Sequence, residues 1–196
     1  MIDRTIPYVD LYMIYPDLSV VPNYSLPEGY HFELFEKGDE KDWVEIEVSS
    51  GDIINEQSGY ESFEKYYGGK LEELKKRCIF VVTDEGMKVG TATAFYLEEP
   101  IEPDISGNFH WLAVREEYKG KGLAKPLITK AMKLMHELGH KGAYLHSQTH
   151  TWLACKIYKD LGWLPYKHTQ SEEEFRQGWE IVDEEWEKLS STRVAD

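Results

Sequence analysis

The stretch "EYKGKGLAKPLITK", Glu117 to Lys130, sets lysines around Gly120 and Gly122 just ahead of an apolar helical period. A glycine-rich entry to a helix suits phosphate. The first N–H groups of a helix have no intrahelical partner, the positive end of the helix dipole faces the same way, and glycine lets the backbone come close. Lys119, Lys121 and Lys125 add positive charge without rigid geometry, which fits a diphosphate reached from solvent. A nucleotide-triphosphate loop needs G-x-x-x-x-G-K-[ST], which is missing, and the dinucleotide pattern G-x-G-x-x-G fails because Lys125 stands where its third glycine belongs. The bland alternative is a tight strand-to-helix turn with solvated lysines.

Several elements must position this turn. "YHFELFE" alternates like a strand from Tyr30 to Glu36. Asp39 reads as the N-cap of a helix, "EKDWVEIEVSS", that Gly51 ends. Two further helices are expected in "YESFEKYY" and "KLEELKKR". "CIFVVT" and "KVGTATAFYLE" flank the turn residues "DEGM" and predict a hairpin. A polar loop then leads to the strand "NFHWLAV". After the glycines, Leu123, Leu127, Ala131, Leu134 and Leu138 form a helical stripe closed by Gly139, and Pro126 is tolerated in its first turn. "GAYLHS" is another strand, "TWLACKIYKDL" a helix closed by Gly162, and "SEEEFRQGWEIVDEEWEKL" a last charged helix. Residues 1–27, rich in Tyr and Pro, show no sustained period and read as an arm laid over the body. The body is residues 28–170, and residues 171–196 form a C-terminal helix and tail.

An apolar strand ending in "LAV", then "YKGKGLA" opening an amphipathic helix, then "ACKIYKDLGW" about thirty residues on, resembles the GCN5-related N-acetyltransferases (GNAT). Lys119, Gly122 and Ala124 fit that family's R/Q-x-x-G-x-G/A motif, with lysine first. Ala154, Tyr158 and Gly162 match its A-x-x-x-Y-x-x-x-G-F helix, with Trp163 for phenylalanine. The resemblance runs from about Cys78 to Tyr166. It implies a mixed α/β fold (α+β) with a mostly antiparallel sheet, splayed central parallel strands and flanking helices. It also implies acetyl transfer from acetyl-CoA, as cosubstrate, to a primary amine of a small molecule or peptide by direct attack in a ternary complex.

By resemblance, backbone groups of Leu112 and Val114 hold the pantetheine arm. The N–H groups from Gly120 through Lys121, Gly122, Leu123 and Ala124 hold the pyrophosphate. Thr151 stands where many relatives carry asparagine, so it either contacts the cofactor or caps its helix. A lysine-like amine, with a pKa of about 10.4, is almost wholly protonated at neutral pH, and freeing it costs roughly 4–5 kcal/mol. The family often places a glutamate where this chain has His110, whose imidazole can accept a proton directly or through water. Glu98 and Glu99 are further candidate bases, and His146 is a possible pocket residue. Tyr158 takes the place of the usual general acid. A phenol gives its proton to a departing thiolate uphill by about 2 kcal/mol, so hydrogen bonding to the sulfur is the easier role. The helices before the hairpin wall the acceptor pocket in this fold, which makes "YESFEKYY" a candidate substrate contact.

Composition sets the outer bounds. The chain has 196 residues, 41% of them hydrophobic and 30% charged, which reads as globular. A net charge of −14 argues against nucleic acid and anionic membrane as partners and suits a cationic substrate. No long apolar run or signal-peptide core is present, so a cytoplasmic protein is expected. Cys78 and Cys155 lie far apart and are expected as small core residues, with no metal site. A non-catalytic acyl-CoA sensor is the competing reading, other acyl donors such as succinyl-CoA stay open, and oligomeric state, a homodimer included, is not determined by this sequence.

Overall fold

The computed structural model describes residues 2–194, so the last two residues of the expected tail lie outside the described residues. The chain divides into two compact units, Pro16–Ala143 and Met1–Tyr15 with Tyr144–Asp196. Seven strands, mostly antiparallel, and six α-helices make a mixed α/β fold among the described residues.

The larger unit is built on β2 (Tyr30–Leu34), β3 (Cys78–Thr83), β4 (Lys88–Tyr96) and β5 (Ile105–Val114), side by side in that order and antiparallel throughout. All six residues of β3 are buried, because the strand has neighbours on both edges and helices over both faces. Three helices precede the hairpin: α1 (Glu40–Ser50), α2 (Glu56–Tyr67) and α3 (Leu71–Arg77). Trp43, Val44 and Ile46 of α1 join Phe63 and Tyr67 of α2 in a core with Phe80, Val82, Phe95 and Ala113 of the strands. α4 (Ala124–Glu137) covers the other side, burying Leu127, Ile128, Ala131, Met132 and Met135.

The capping of α1 departs from expectation. Asp39 does stand at its N-cap but makes no capping bond. Its Oδ2 accepts instead from the Glu36 N–H at 2.8 Å, and its Oδ1 meets Lys88 Nζ at 2.7 Å, a partly buried cation that draws the carboxylate away. α2 starts earlier than "YESFEKYY", because Asn55 caps it through the Ser58 N–H. Gly59 lies where α1 meets α2, and a Cβ there would come within 2.5 Å of Val44 Cγ1.

The smaller unit holds β1 (Asp10–Tyr15) between β6 (Gly142–Gln148) and β7 (Leu164–Pro165), with α5 (Trp152–Asp160) and α6 (Glu172–Val194). The Tyr- and Pro-rich opening therefore contains a strand, paired antiparallel at Met13↔Pro165 and Ile14↔Leu164. Its sequence, "DLYMIY", is too uniformly apolar to alternate, and four of its six residues are buried. Leu11 and Met13 are fully buried, while Tyr12 stacks on Tyr144 and His146. Among the described residues, no helix is long and apolar enough to cross a membrane.

Candidate functional site

The glycine turn lies in the larger unit, between the end of β5 and the start of α4. A short 3-10 turn, Glu116–Tyr118, leads into it. Gly120 has φ 76° and Gly122 φ 79°, left-handed values that a side chain makes costly. Little else crowds them, since a Cβ would meet nothing within 4 Å at Gly120 and only Pro27 at 3.8 Å from Gly122. Backbone conformation and not space therefore demands these glycines. The N–H groups of Gly120, Lys121, Gly122 and Leu123 find no hydrogen-bond partner among the described residues, and α4 has no side-chain cap. Four adjacent donors at a helix N-terminus are a cradle for an anion.

The lysines are less available than the sequence suggests. Lys119 is drawn back onto the Ser50 carbonyl at 3.0 Å and onto Glu116. Lys121 lies over the Tyr118 ring at 4.2 Å and Lys125 over Tyr24 at 5.5 Å. Cation–π contacts of this kind hold the charges near the turn without committing them.

β5 carries a second irregularity just upstream. Thr91 pairs with Ala113 but Thr93 pairs with His110, so Trp111 and Leu112 together face Ala92. This bulge puts Trp111 at φ 47°, the one non-glycine residue in the left-handed region among those described. Bulges of this type redirect a strand and release backbone groups from the ladder, at a cost that a bulky residue makes larger. Leu112 and Val114 therefore sit within and just beyond the distortion.

His110 enters the bulge from its N-terminal side and packs among aromatic rings: Tyr66 at 4.9 Å, Tyr67 at 5.7 Å and Trp111 at 5.8 Å. The Tyr67 hydroxyl donates to Thr93 Oγ1 at 3.2 Å and lies 3.1 Å from His110 Nδ1. With its one proton given to Thr93, the phenol accepts from Nδ1–H, and the imidazole lone pair falls on Nε2. Burial pushes the Tyr67 phenol well above its ordinary range, so it stays neutral. Glu98 is exposed and bonded to Lys70 at 3.0 Å, and Glu99 is exposed as well.

The remaining candidates belong to the smaller unit. Tyr158 is buried on α5, its ring 6.1 Å from that of Trp163. Thr151 stands at the start of α5 without capping it. Its hydroxyl turns back to the Gln148 carbonyl at 2.9 Å and to Ser147 at 2.8 Å, so the expectation of a cap is corrected. His146 is half-exposed, with Nε2 2.8 Å from Asp10 Oδ1. Both cysteines are buried as expected, and burial pushes each thiol up to about 11. Among the described residues, no group of three or more His, Cys, Asp or Glu side chains could share a metal ion.

One residue escaped the sequence reading. Glu47 of α1 is fully buried, and neither carboxyl oxygen has a partner. Burial holds this carboxyl well above the usual carboxylate range, and the nearby Asp52 charge adds to the effect. Its signal was present in the sequence, since Glu47 follows Trp43 by four residues and so falls on the apolar stripe of the helix.

Solved structures share this fold. A GCN5-related N-acetyltransferase from Sphaerobacter thermophilus superposes with a TM-score of 0.65 at 19% identity, covering 82% of this chain and 50% of that one. A GNAT-family acetyltransferase from Colwellia psychrerythraea gives 0.60 at 13% identity, with 82% and 54% covered. A tandem GNAT protein from the clavulanic acid biosynthesis pathway gives 0.58 at 18% identity, with 84% and 52% covered. The chain thus spans about half the length of these structures. Among curated proteins, none matches this chain. The acetyltransferase (GNAT) family model matches residues 29–163, which takes in the glycine turn, the bulged strand and the Tyr158 helix, and the chain belongs to that family.

Proposed function

We propose that the protein is an N-acetyltransferase that moves the acetyl group of acetyl-CoA to a primary amine of a small molecule or peptide by direct attack in a ternary complex. The observation that carries this reading is the row of four unpartnered N–H groups from Gly120 to Leu123 at the start of α4. Such a cradle fits a pyrophosphate, and the family match makes that pyrophosphate the one in coenzyme A. Ala124 continues the cradle into the helix, while Lys121 and Lys125 screen the charge from the rim. Leu112 and Val114 offer backbone groups to the pantetheine arm beside the bulge.

Acetyl-CoA supplies the activated thioester, and the chain manages protons around it. The amine must be neutral to attack, and in this reading His110 takes its proton at Nε2, a role supported by the Tyr67 hydroxyl held 3.1 Å from Nδ1. Tyr158 takes, from the family pattern, the role of hydrogen-bonding the departing sulfur. Direct attack is favoured over an acyl-enzyme because both thiols are buried and raised to about 11.

The test is thiol release from acetyl-CoA across a panel of amines, polyamines, amino acids and peptides, with Tyr158→Phe and His110→Ala beside the native protein. Amine-stimulated release that falls in both variants supports the proposal. No release with any amine, together with stabilisation by CoA, would instead make the protein an acyl-CoA sensor.

A further inference from the structure

β2 lies at the end of the sheet. It pairs with β3 from Tyr30↔Thr83 to Leu34↔Ile79 without a bulge, and no strand lies on its other side among the described residues. The bonds that flank this ladder fix its phase: the Phe35 N–H donates to the Cys78 carbonyl at 2.9 Å, and the Asp84 N–H to the Gly29 carbonyl at 3.1 Å. Antiparallel bonding alternates along a strand, so His31 and Glu33 turn their backbone groups to β3, while Tyr30, Phe32 and Leu34 turn theirs outward. The outward N–H and C=O groups of these three residues have no partner among the described residues. Such an edge is a template for a further strand, and proteins that keep it closed place lysine, proline or a bulge there. β2 has none of these. Its side chains are open as well: those of His31 and Glu33 are 48% and 47% exposed on one face, and Leu34 is 45% exposed on the other.

We propose that β2 is a dimerisation edge, and that its occupant is β2 of a second copy of this chain, antiparallel about a two-fold axis at Phe32. Read against itself in that register, "YHFEL" sets Phe32 opposite the partner's Phe32, Tyr30 opposite the partner's Leu34 and His31 opposite the partner's Glu33. Tyr30, Phe32 and Leu34 exchange N–H···O=C bonds across the axis. His31 and the partner's Glu33 fall at the intervening non-bonded positions, where side chains come closest.

The neighbouring registers are worse matches. An outward residue must meet an outward residue, so the next symmetric pairings centre on His31 or on Glu33. The first sets imidazole against imidazole and the second carboxylate against carboxylate, and within β2 each loses one of the three bonded pairs. A second copy therefore fits this edge in hydrogen bonding, in apolar pairing and in charge. Beside the C-terminal end of β2 lies a groove of about 900 Å³, lined by Glu33, Leu34, Glu36, Lys37 and Lys75 among others. In the proposed register the partner's chain approaches its own Tyr30 at that end, and the groove gives it room. Pairing one edge with itself closes at two copies. The contact is one short strand pair, smaller than a standard interface, so the dimer forms and dissociates with concentration.

Sedimentation equilibrium of the full chain, from micromolar to submillimolar concentration, should show the 22.9 kDa monomer passing to twice that mass. His31→Glu, a change at an exposed side chain, sets carboxylate against carboxylate and should weaken the dimer by about tenfold or more. Exchanging the two residues, His31→Glu with Glu33→His, makes the strand self-complementary again and should restore the dimer. Phe32→Cys brings two thiols together at a Cα separation of about 5.5 Å and should form an intersubunit disulfide on mild oxidation. His31→Cys, about 7–8 Å from its own copy, should not. A monomer at every concentration overturns the proposal. So does a dimer that His31→Glu leaves unchanged, that the exchange fails to restore, or that cross-links through His31→Cys and not through Phe32→Cys.

Discussion

Replacing Glu47 by Gln should make the protein relatively more stable as the pH rises. The native state holds this carboxyl protonated by burial and by the Asp52 charge, while the unfolded chain releases the proton near the ordinary value of 4.5. Between that value and the raised native one, the folded state binds more protons than the unfolded state, so native stability falls with rising pH. The stability is intact below about pH 4.5 and declines above it. Each pH unit of that window costs about 1.36 kcal/mol, so a carboxyl that stays protonated from about pH 4.5 to 7 loses at most about 3.4 kcal/mol. Gln cannot ionise and carries no such loss. Urea denaturation of both proteins at about pH 5 and pH 7 isolates the effect, because every other titrating group cancels in the double difference. The gain of the variant should grow by about 1–3 kcal/mol between the two pH values. A difference that does not change with pH would show that Glu47 is ionised and paired in solution, and the argument from its burial would fall.

Other outcomes follow from the same geometry. Gly122→Glu keeps the fold but abolishes stabilisation by CoA, which in the native protein should reach about 2.7 kcal/mol at about one hundred times the dissociation constant, read by thermal unfolding. His110→Ala should lower kcat by about 10²–10⁴, and Tyr67→Phe by a smaller factor through loss of the fixed tautomer, in the acetyl-transfer assay. Gly59→Ala should destabilise by about 1–3 kcal/mol despite the better helix propensity of alanine, because its Cβ would press on Val44 Cγ1, and denaturant midpoints will measure this. Thiol reagents should modify Cys78 and Cys155 only as fast as the protein opens, since both groups are buried and carry roughly 100-fold less thiolate than a thiol near 9.

The glycine turn was readable because its causes are local. Left-handed backbone at Gly120 and Gly122 needs glycine, and the apolar period after them announces the helix whose N–H groups they expose. The hairpin of β3 and β4 was readable for a similar reason, an apolar run on each side of a short turn. Asp39 and Thr151 were harder. Each has the residue type of a cap and stands at a cap position, but tertiary partners claim its side chain: Lys88 for Asp39, and the Gln148 carbonyl with Ser147 for Thr151.

The amino-acid sequence by itself determined that the helices exist and where most of them end, which strands form the hairpin, and that a glycine turn with a later tyrosine helix resembles the GNAT family. Each helix end, each turn and each motif is set by residues within a few positions of one another. Only the tertiary structure decided that the opening segment becomes a strand, because β1 pairs with residues some 150 positions away. It also decided that β5 bulges at Trp111 and that Glu47 is shut away from solvent. A bulge is a mismatch between two strands, and burial is a property of everything packed around a side chain, so neither is written in the neighbours that a residue has along the chain.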